Sequence, residues 1–270
     1  MPEGFGARLR RLRNKRYEDW WHIVFGGPIG VFLAALIAPI QWITPNGLTW
    51  AAFTCKLAGS GLLLADDFRA DLAVVVLLNL NIILDIMDGS LARYRKKPSA
   101  TGAFLDKITD GLGLLALGTC LGVRAHHEGA GVLALVAGGF IGGAYLTRCY
   151  MYWLIAFLEK ERGVAQATTG PSTIKPFGEL GLGERLAYYV KSSWRVILVG
   201  EGDIYFWVSL FLLLGRVEWV VLPLGGAMAF WLVAYFGKRF ATVLRMDRAA
   251  AAAAAAAAAK SAAAADTGNG

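Results

Sequence analysis

Long apolar segments separated by short polar stretches dominate the chain. At about 1.5 Å of helix per residue, such segments are candidates to cross a hydrocarbon core of about 30 Å. Six of them cover residues 48–64, 72–94, 103–123, 131–157, 196–214 and 217–236, and the first and fifth are short or interrupted. The pattern predicts an all-α integral membrane protein with six transmembrane helices.

The residues before the first of these segments have a different pattern. Residues 1–21 carry a basic run followed by tyrosine and tryptophan, which is typical of a segment anchored at a membrane surface. Residues 22–42 are apolar but contain a Gly-Gly-Pro sequence near their start, so they either span the membrane or lie along it. We therefore predict an amphipathic juxtamembrane segment over residues 1–43.

The remaining boundaries follow from shifts in composition. Residues 44–246 form the predicted six-helix domain, whose longest internal polar stretch, residues 159–193, is expected to be a loop with an interfacial helix. Residues 247–270 are an alanine-rich, low-complexity tail that is either helical or disordered. No chemistry is expected of this tail.

Composition and charge agree with a membrane protein. Apolar residues make up 56% of the chain and the mean hydropathy is +0.50, both too high for a soluble domain of this length. The net charge of +7 fits basic loops beside an anionic membrane leaflet, and no nucleic-acid-binding motif accompanies it. The cysteines, Cys55, Cys120 and Cys149, are widely spaced in apolar segments, which favours packing over disulfides or metal ligation.

Lysine and arginine are distributed unevenly between the two predicted membrane faces. Residues 93–97, both terminal regions and the 159–193 loop place most of the basic side chains on one face. The other face has little more than Arg69, Arg124 and Arg216. By the positive-inside rule, both termini and the region around residue 95 should lie on the cytoplasmic side of an inner or cytoplasmic membrane.

Four carboxylates lie at or near the ends of the second and third apolar segments: Asp85, Asp88, Asp106 and Asp110. On a helix, Asp85 and Asp88 share a face, and Asp106 and Asp110 stack one turn apart. If the two helices pair in antiparallel fashion, the four charges converge, at a cost on the order of several kcal/mol unless cations bind. All-oxygen ligands favour Mg²⁺, Mn²⁺ or Ca²⁺ over zinc.

The complete pattern DxxDGxxARx8GxxxDxxxD resembles that of the CDP-alcohol phosphotransferases, the class I CDP-alcohol phosphatidyltransferase family of membrane enzymes. Its eight fixed positions, within 26 residues, are Asp85, Asp88, Gly89, Ala92, Arg93, Gly102, Asp106 and Asp110. A second match, TPNGLT at Thr44 to Thr49, resembles the start of the family's first core helix. The resemblance covers residues 44–123.

The resemblance implies a transferase of phospholipid biosynthesis that moves a substituted phosphate from a CDP-linked donor to an alcohol hydroxyl and releases CMP. It implies two Mg²⁺ or Mn²⁺ ions per site, with Asp85, Asp88 and Asp106 as the main ligands. Asp110 would join the second metal and act as the base. The family further implies a homodimer. The CDP-donor contacts carried over are Asn46, Thr49, Gly89, Ala92, Arg93, Ser99 and Gly102.

Acceptor-binding candidates come from charges outside the motif. Arg148 lies within the fourth apolar segment and needs an anionic partner. That partner is either a motif aspartate or a phosphate on the acceptor, and the residues leave both open. Lys191 and Arg195 are further candidates for the same pocket.

Other polar and small residues in the apolar segments have structural interpretations. Asn79 and Asn81 are expected to form interhelical hydrogen bonds, and the glycines of residues 138–143 to permit close helix packing. His126 and His127 fall at the opposite end of the third segment from the aspartates, so we expect no catalytic or metal-binding role for them.

Three functional hypotheses follow. The first is transfer of a phosphatidyl group from CDP-diacylglycerol to a small soluble alcohol. The second keeps the enzyme class but uses a CDP-headgroup donor, such as CDP-choline, CDP-ethanolamine or CDP-inositol, with diacylglycerol or a polyol phosphate as acceptor. The third is a cation transporter. A transporter predicts acidic residues spread along a pore, whereas here they cluster near one membrane face beside glycines and an arginine, so this hypothesis ranks last.

Overall fold

A computed structural model describes residues 3–13, 19–97, 99–162, 180–198 and 200–267, and the regular elements of this part are all helical. Its α-helices are α1 Phe5–Leu12, α2 Gly27–Ile37, α3 Pro45–Leu62, α4 Phe68–Tyr94, α5 Ala100–Ala125, α6 Val132–Glu161, α7 Leu182–Ser192, α8 Glu201–Leu213 and α9 Glu218–Thr267. Short π or 3-10 turns add His22–Gly26, Leu63–Ala65, His126–Ala130 and Ser193–Leu198. The all-α prediction is confirmed.

The chain divides into two compact units. The first comprises Met1–Leu146 and Ser172–Trp231, and the second Thr147–Pro171 and Leu232–Gly270. The boundaries fall inside α6 and α9, so each of these helices contributes to both units.

Within the described residues, five helices are long and apolar enough to cross a membrane: Pro45–Ala65, Phe68–Tyr94, Ala100–Ala130, Val132–Glu161 and Glu218–Ala252. They correspond to five of the six predicted spans. The sixth, residues 196–214, is not confirmed, because α8 has only 13 residues, which cover about 20 Å at 1.5 Å each. α8 begins at Glu201, after the N-cap residue Gly200, and not at residue 196 as predicted. A separate 3-10 turn, Ser193–Leu198, precedes it.

The Gly-Gly-Pro sequence does not interrupt the apolar stretch that follows Trp21. The π turn His22–Gly26 leads directly into α2, and Pro28 is accommodated in the first turn, where its missing N–H is not needed. The glycines serve packing: a Cβ at Gly26 would lie 2.9 Å from Cδ1 of Ile86, and one at Gly30 would lie 3.1 Å from the Ile83 carbonyl oxygen. The segment therefore packs against α4, and its juxtamembrane position stays a prediction.

The two asparagines of α4 link it to its neighbours, as predicted. Asn81 Nδ2 donates to the Ala52 carbonyl of α3 at 2.9 Å. Asn79 Nδ2 donates to the Ser209 hydroxyl of α8 at 3.3 Å, and its Oδ1 accepts from the Trp21 indole at 2.8 Å. Polar groups buried among apolar helices thereby satisfy one another.

A buried arginine fastens the end of the first unit that is remote from the aspartate motif. Arg124, 6% exposed, donates to the Leu63 carbonyl at 3.1 Å and to Asp71 at 3.4 Å. It also pairs with Asp66 at 2.9 Å and with Glu128. These contacts join the end of α3, the start of α4 and the end of α5, so this charged cluster has a structural role. His126 and His127 lie at the same end.

The second unit contains the ends of α6 and α9. The Arg239 guanidinium lies over the rings of Tyr235 and Tyr152, at 4.7 Å and 5.7 Å from their centroids, and Arg162 pairs with Asp247. The backbone of α9 continues as helix through the alanine-rich tail to Thr267. The cysteines Cys55, Cys120 and Cys149 are free, as predicted.

Two GxxxG sequences bring α5 and α6 together. A Cβ at Gly138 would meet the Gly118 carbonyl oxygen and would lie 2.6 Å from the Gly122 Cα, and one at Gly142 would meet the backbone of Leu115. Gly139, on the other side of α6, has no atom within 4 Å of its Cβ position. The contact between α5 and α6, called the seam below, therefore depends on Gly138 and Gly142 but not on Gly139.

This difference gives a matched stability test. Gly138→Ala should lower the thermal unfolding midpoint in detergent, because its Cβ meets backbone that cannot move aside cheaply, at a cost of about 1–3 kcal/mol. Gly139→Ala should leave the midpoint unchanged or raise it, since alanine is the better helix former and the space is open. Equal midpoints for the two variants would contradict the proposed seam.

Candidate active site

The aspartates are placed by three helices. Helix α3 packs against both α4, which carries Asp85 and Asp88, and α5, which carries Asp106 and Asp110. α5 begins sharply after residues 95–99 because the Ser99 hydroxyl caps it, accepting from the Gly102 N–H at 3.0 Å. Lys96 adopts a left-handed conformation (φ 54°) in the connection.

Three of the four motif carboxylates converge. Asp85, Asp88 and Asp106 each offer an oxygen, and these oxygens lie within 4.8 Å of one another. Asp88 is 6% exposed, and the other two are half-buried. Like charges at this separation repel strongly in an apolar environment, so the group requires compensation.

Two side chains supply part of that compensation to Asp85, Asp88 and Asp106. The Thr49 hydroxyl donates to Asp88 Oδ2 at 2.5 Å. The Lys107 ammonium lies 2.7 Å from Asp106 Oδ2. Thr49, predicted as a donor contact, therefore also orients one of the predicted metal ligands.

The fourth aspartate has different partners. Asp110, 9% exposed, pairs through Oδ1 with the Lys56 ammonium and through Oδ2 with Lys107, both at 3.5 Å. Among the described residues it is not part of the converging group of three. Its roles as second-metal ligand and base stay predictions.

A buried polar network adjoins Asp110, and the motif analysis did not anticipate it. The Lys56 ammonium lies 2.5 Å from Glu201 Oε1. The hydroxyls of Tyr205 and Tyr145 donate to the same carboxylate at 2.6 Å and 3.3 Å. A signal was available, because Lys56 and Glu201 are ionisable residues within predicted apolar spans, where such residues usually serve a site.

Three of the predicted donor contacts meet at Gly102. A Cβ at Gly102 would lie 3.0 Å from the Ser99 hydroxyl and 3.1 Å from Asn46 Oδ1. Glycine at this position allows both side chains to lie this close, one from the start of α3 and one from the cap of α5. The fold thus brings Asn46 to Ser99 and Gly102, although Asn46 lies far from them in the sequence.

The donor residues predicted on α4 also lie together. The Arg93 guanidinium folds back over Gly89, where a Cβ would lie 3.1 Å from one guanidinium nitrogen, and Arg93 donates to the Ser90 hydroxyl at 3.3 Å. Ala92 is half-buried one turn after Asp88. Small residues beside a guanidinium suit a phosphate-bearing ligand that approaches the helix closely.

The converging oxygens fit a hard divalent cation. Three carboxylates, with no nitrogen or sulfur ligand in the group, match the preferences of Mg²⁺, Mn²⁺ or Ca²⁺. The family model for CDP-alcohol phosphatidyltransferase matches residues 42–177, half of the chain, including the aspartate motif and TPNGLT. The chain belongs to this family. No curated protein matches it.

Membership in the CDP-alcohol phosphatidyltransferase family makes the protein a membrane transferase of phospholipid biosynthesis that uses a CDP-alcohol donor and an alcohol acceptor. The aspartates and the residues around Gly89 and Gly102 lie within the matched region. Lys56 and Tyr145 also lie within it, whereas Glu201 lies beyond it.

The described residues do not test whether the three predicted acceptor residues share one pocket. Lys191 is exposed in the last turn of α7, and the side chain of Arg195 lies outside the described part. Arg148 is half-buried in α6, within the second unit. An acceptor pocket built from these three residues stays a prediction.

Arg95 holds the start of α3 in place. Its guanidinium donates to the carbonyls of Ile43 at 2.6 Å, Ile40 at 2.7 Å and Ala38 at 3.3 Å. These are the last residues before TPNGLT, so Arg95 ties the segment that presents Asn46 and Thr49 to the end of α4. The sequence alone suggested no more than a basic loop residue.

Replacing Arg95 should free this segment without disturbing the helices. Arg95→Met removes three charge-assisted hydrogen bonds, and we expect faster cleavage by chymotrypsin after Trp42, which is 81% exposed. Lys97→Met, an exposed change in the same connection, is the control and should be cleaved at the wild-type rate. Identical cleavage of all three proteins would contradict the anchoring role.

Proposed function

We propose that this CDP-alcohol phosphatidyltransferase family member transfers a phosphatidyl group from CDP-diacylglycerol to the hydroxyl of a small soluble alcohol and releases CMP. One observation carries the proposal: the carboxylates of Asp85, Asp88 and Asp106, three fixed positions of the motif, converge within 4.8 Å. The family match supports the reaction class.

The fit of the carboxylates to hard cations supports a two-metal site of Mg²⁺ or Mn²⁺. Asp85, Asp88 and Asp106 would be the main ligands, with Asp110 beside them. Bound cations would supply charge stabilisation for the diphosphate and the leaving CMP. The chain would contribute the geometry: Thr49 holds Asp88, and Lys107 holds Asp106 and would yield to a cation at that oxygen.

The proposed transfer is a displacement at phosphorus. The acceptor hydroxyl oxygen forms a bond to the phosphorus that carries the diacylglycerol, the bond from that phosphorus to the bridging oxygen breaks, and CMP leaves with the electron pair. The acceptor proton passes to Asp110. Asp110 is suited to this role because it is a buried carboxylate that lies outside the converging group of three.

The donor would lie along two glycines. Gly102 lies beside the polar side chains of Asn46 and Ser99, and these three residues would contact the nucleoside. Arg93 over Gly89 offers a guanidinium for the diphosphate. The basic residues near this end of α4 support placement of the site on the cytoplasmic side of the inner membrane, where soluble acceptors and Mg²⁺ are available.

The proposal is tested by CMP release from purified protein with Mn²⁺ or Mg²⁺ and CDP-diacylglycerol. Glycerol phosphate, inositol, inositol phosphate and serine are offered as acceptors, and we expect release that depends on one of them. Release only from CDP-choline, CDP-ethanolamine or CDP-inositol, with diacylglycerol or a polyol phosphate as acceptor, would replace the donor. No release from any combination would overturn the proposed reaction.

Replacing one of the three converging aspartates by an uncharged side chain of the same shape should strongly reduce turnover. Asp106→Asn keeps the shape of the side chain but removes a charge from the predicted ligand set, so we expect at least a 10²-fold loss of CMP release and weaker Mn²⁺ binding by electron paramagnetic resonance.

Two controls separate the site from a general effect. Asp67→Asn makes the same chemical change at an exposed position at the start of α4, and His127→Ala alters the opposite end of α5. Both should retain wild-type rates and Mn²⁺ affinity. Undiminished activity in Asp106→Asn would refute the metal site.

A further inference from the structure

We propose that Lys56, clamped by Glu201, is a positioning residue that orients the Asp110 carboxylate for the transfer reaction. The proposal rests on the proposed function and adds residues that lie outside the aspartate motif. It separates Asp110, which is held by the buried Lys56, from the three converging aspartates, which would hold the metal ions.

The position of Lys56 is unusual for a lysine. It lies in α3, within a candidate membrane span, and is 1% exposed. Its ammonium contacts two carboxylates on different helices, Glu201 of α8 at 2.5 Å and Asp110 of α5 at 3.5 Å. A lysine buried in this way is costly and persists only when it is fully paired.

Glu201 is arranged as a fixed anchor for this ammonium. It accepts from the Tyr205 hydroxyl at 2.6 Å, from Lys56 at 2.5 Å and from the Tyr145 hydroxyl at 3.3 Å. Three donors from three helices restrict the carboxylate to one orientation. Lys56 therefore cannot swing away from Asp110 without breaking a hydrogen-bonded network.

A second observation shows that the path of the lysine chain is built into α5. Gly113 lies three residues after Asp110, and a Cβ there would meet the Lys56 chain, 3.0 Å from its Cγ and 3.1 Å from its Cε. The absence of a side chain at Gly113 creates the groove along which the lysine reaches Asp110. The approach of α3 to α5 and the pairing of Lys56 with Asp110 thus both depend on Gly113.

This arrangement explains why Asp110 does not join the converging carboxylates. Lys56 pairs with its Oδ1, while its Oδ2 pairs with Lys107, which also contacts Asp106. In a reaction whose rate depends on placing a proton acceptor within hydrogen-bonding distance of the acceptor hydroxyl, a displacement of about 1 Å lowers the rate about 10²-fold.

The test uses variants that separate charge balance from position. Lys56→Met alone leaves the buried Glu201 without its cation, removes one of the two cations of Asp110, and risks unfolding. The double variant Lys56→Met/Glu201→Gln retains the net charge of the wild-type cluster. Gly113→Ala keeps every charge but displaces the lysine chain. Lys97→Met, in an exposed connection, is the control for loss of a lysine.

The readouts are the thermal unfolding midpoint, Mn²⁺ affinity by electron paramagnetic resonance, and kcat and KM for CMP release. The kinetics use the donor and acceptor that give release in the assay of the wild-type protein. For the double variant we expect a midpoint near that of wild type, Mn²⁺ affinity and donor KM within about twofold, and kcat lower by about 10²-fold. Gly113→Ala should lower kcat in the same direction, and Lys97→Met should change nothing.

The outcomes separate the two proposals. Recovery of wild-type kcat in the double variant would mean that Lys56 merely neutralises Glu201, and would overturn the positioning role alone. Should the double variant not fold, a wild-type kcat in Gly113→Ala would overturn it instead. Wild-type protein that releases no CMP from any donor and acceptor would overturn both proposals, because positioning would then have no reaction to serve.

Discussion

Ionisable groups buried among apolar helices must be paired, because the cost of an isolated charge there exceeds what helix packing returns. In the first unit this requirement is met twice. At one end Arg124 joins the ends of three helices through carbonyl and carboxylate contacts. At the other end Lys56 joins Glu201 and Asp110, and Lys107 joins Asp106 and Asp110. The pairs at the first end stabilise the bundle, whereas those at the second adjoin carboxylates that are suited to metal binding.

These ion pairs give the four motif aspartates two different environments. Asp85, Asp88 and Asp106 face one another, a geometry that like charges adopt stably only when cations or hydrogen-bond donors accompany them. Asp110 is withdrawn to a lysine that is itself held by a glutamate and two tyrosines. Four carboxylates that look equivalent in the motif therefore have different environments, and different environments allow one kind of side chain to perform different tasks.

Glycines decide how closely the helices approach. Gly26 and Gly30 admit α4 beside α2, and Gly138 and Gly142 admit α5 beside α6. At the site, Gly113 admits the lysine chain, while Gly102 allows the side chains of Ser99 and Asn46 to lie close to the backbone of α5. In a membrane, where apolar side chains gain little by leaving lipid, close backbone packing and satisfied polar contacts carry most of the specificity.

Hydropathy predicted the all-α membrane class and five of the spanning helices, and motif spacing identified the aspartates as candidate site residues. Both depend on local periodicity and residue chemistry along one helix. The family resemblance named Asn46, Ser99 and Gly102 as donor contacts, and the structure showed that the three lie together. Tertiary structure alone decided that Arg95 anchors the start of α3 and that Lys56 reaches Asp110 and Glu201. Those contacts join residues between 52 and 145 positions apart, so no local pattern encodes them, and only helix packing brings their charges together.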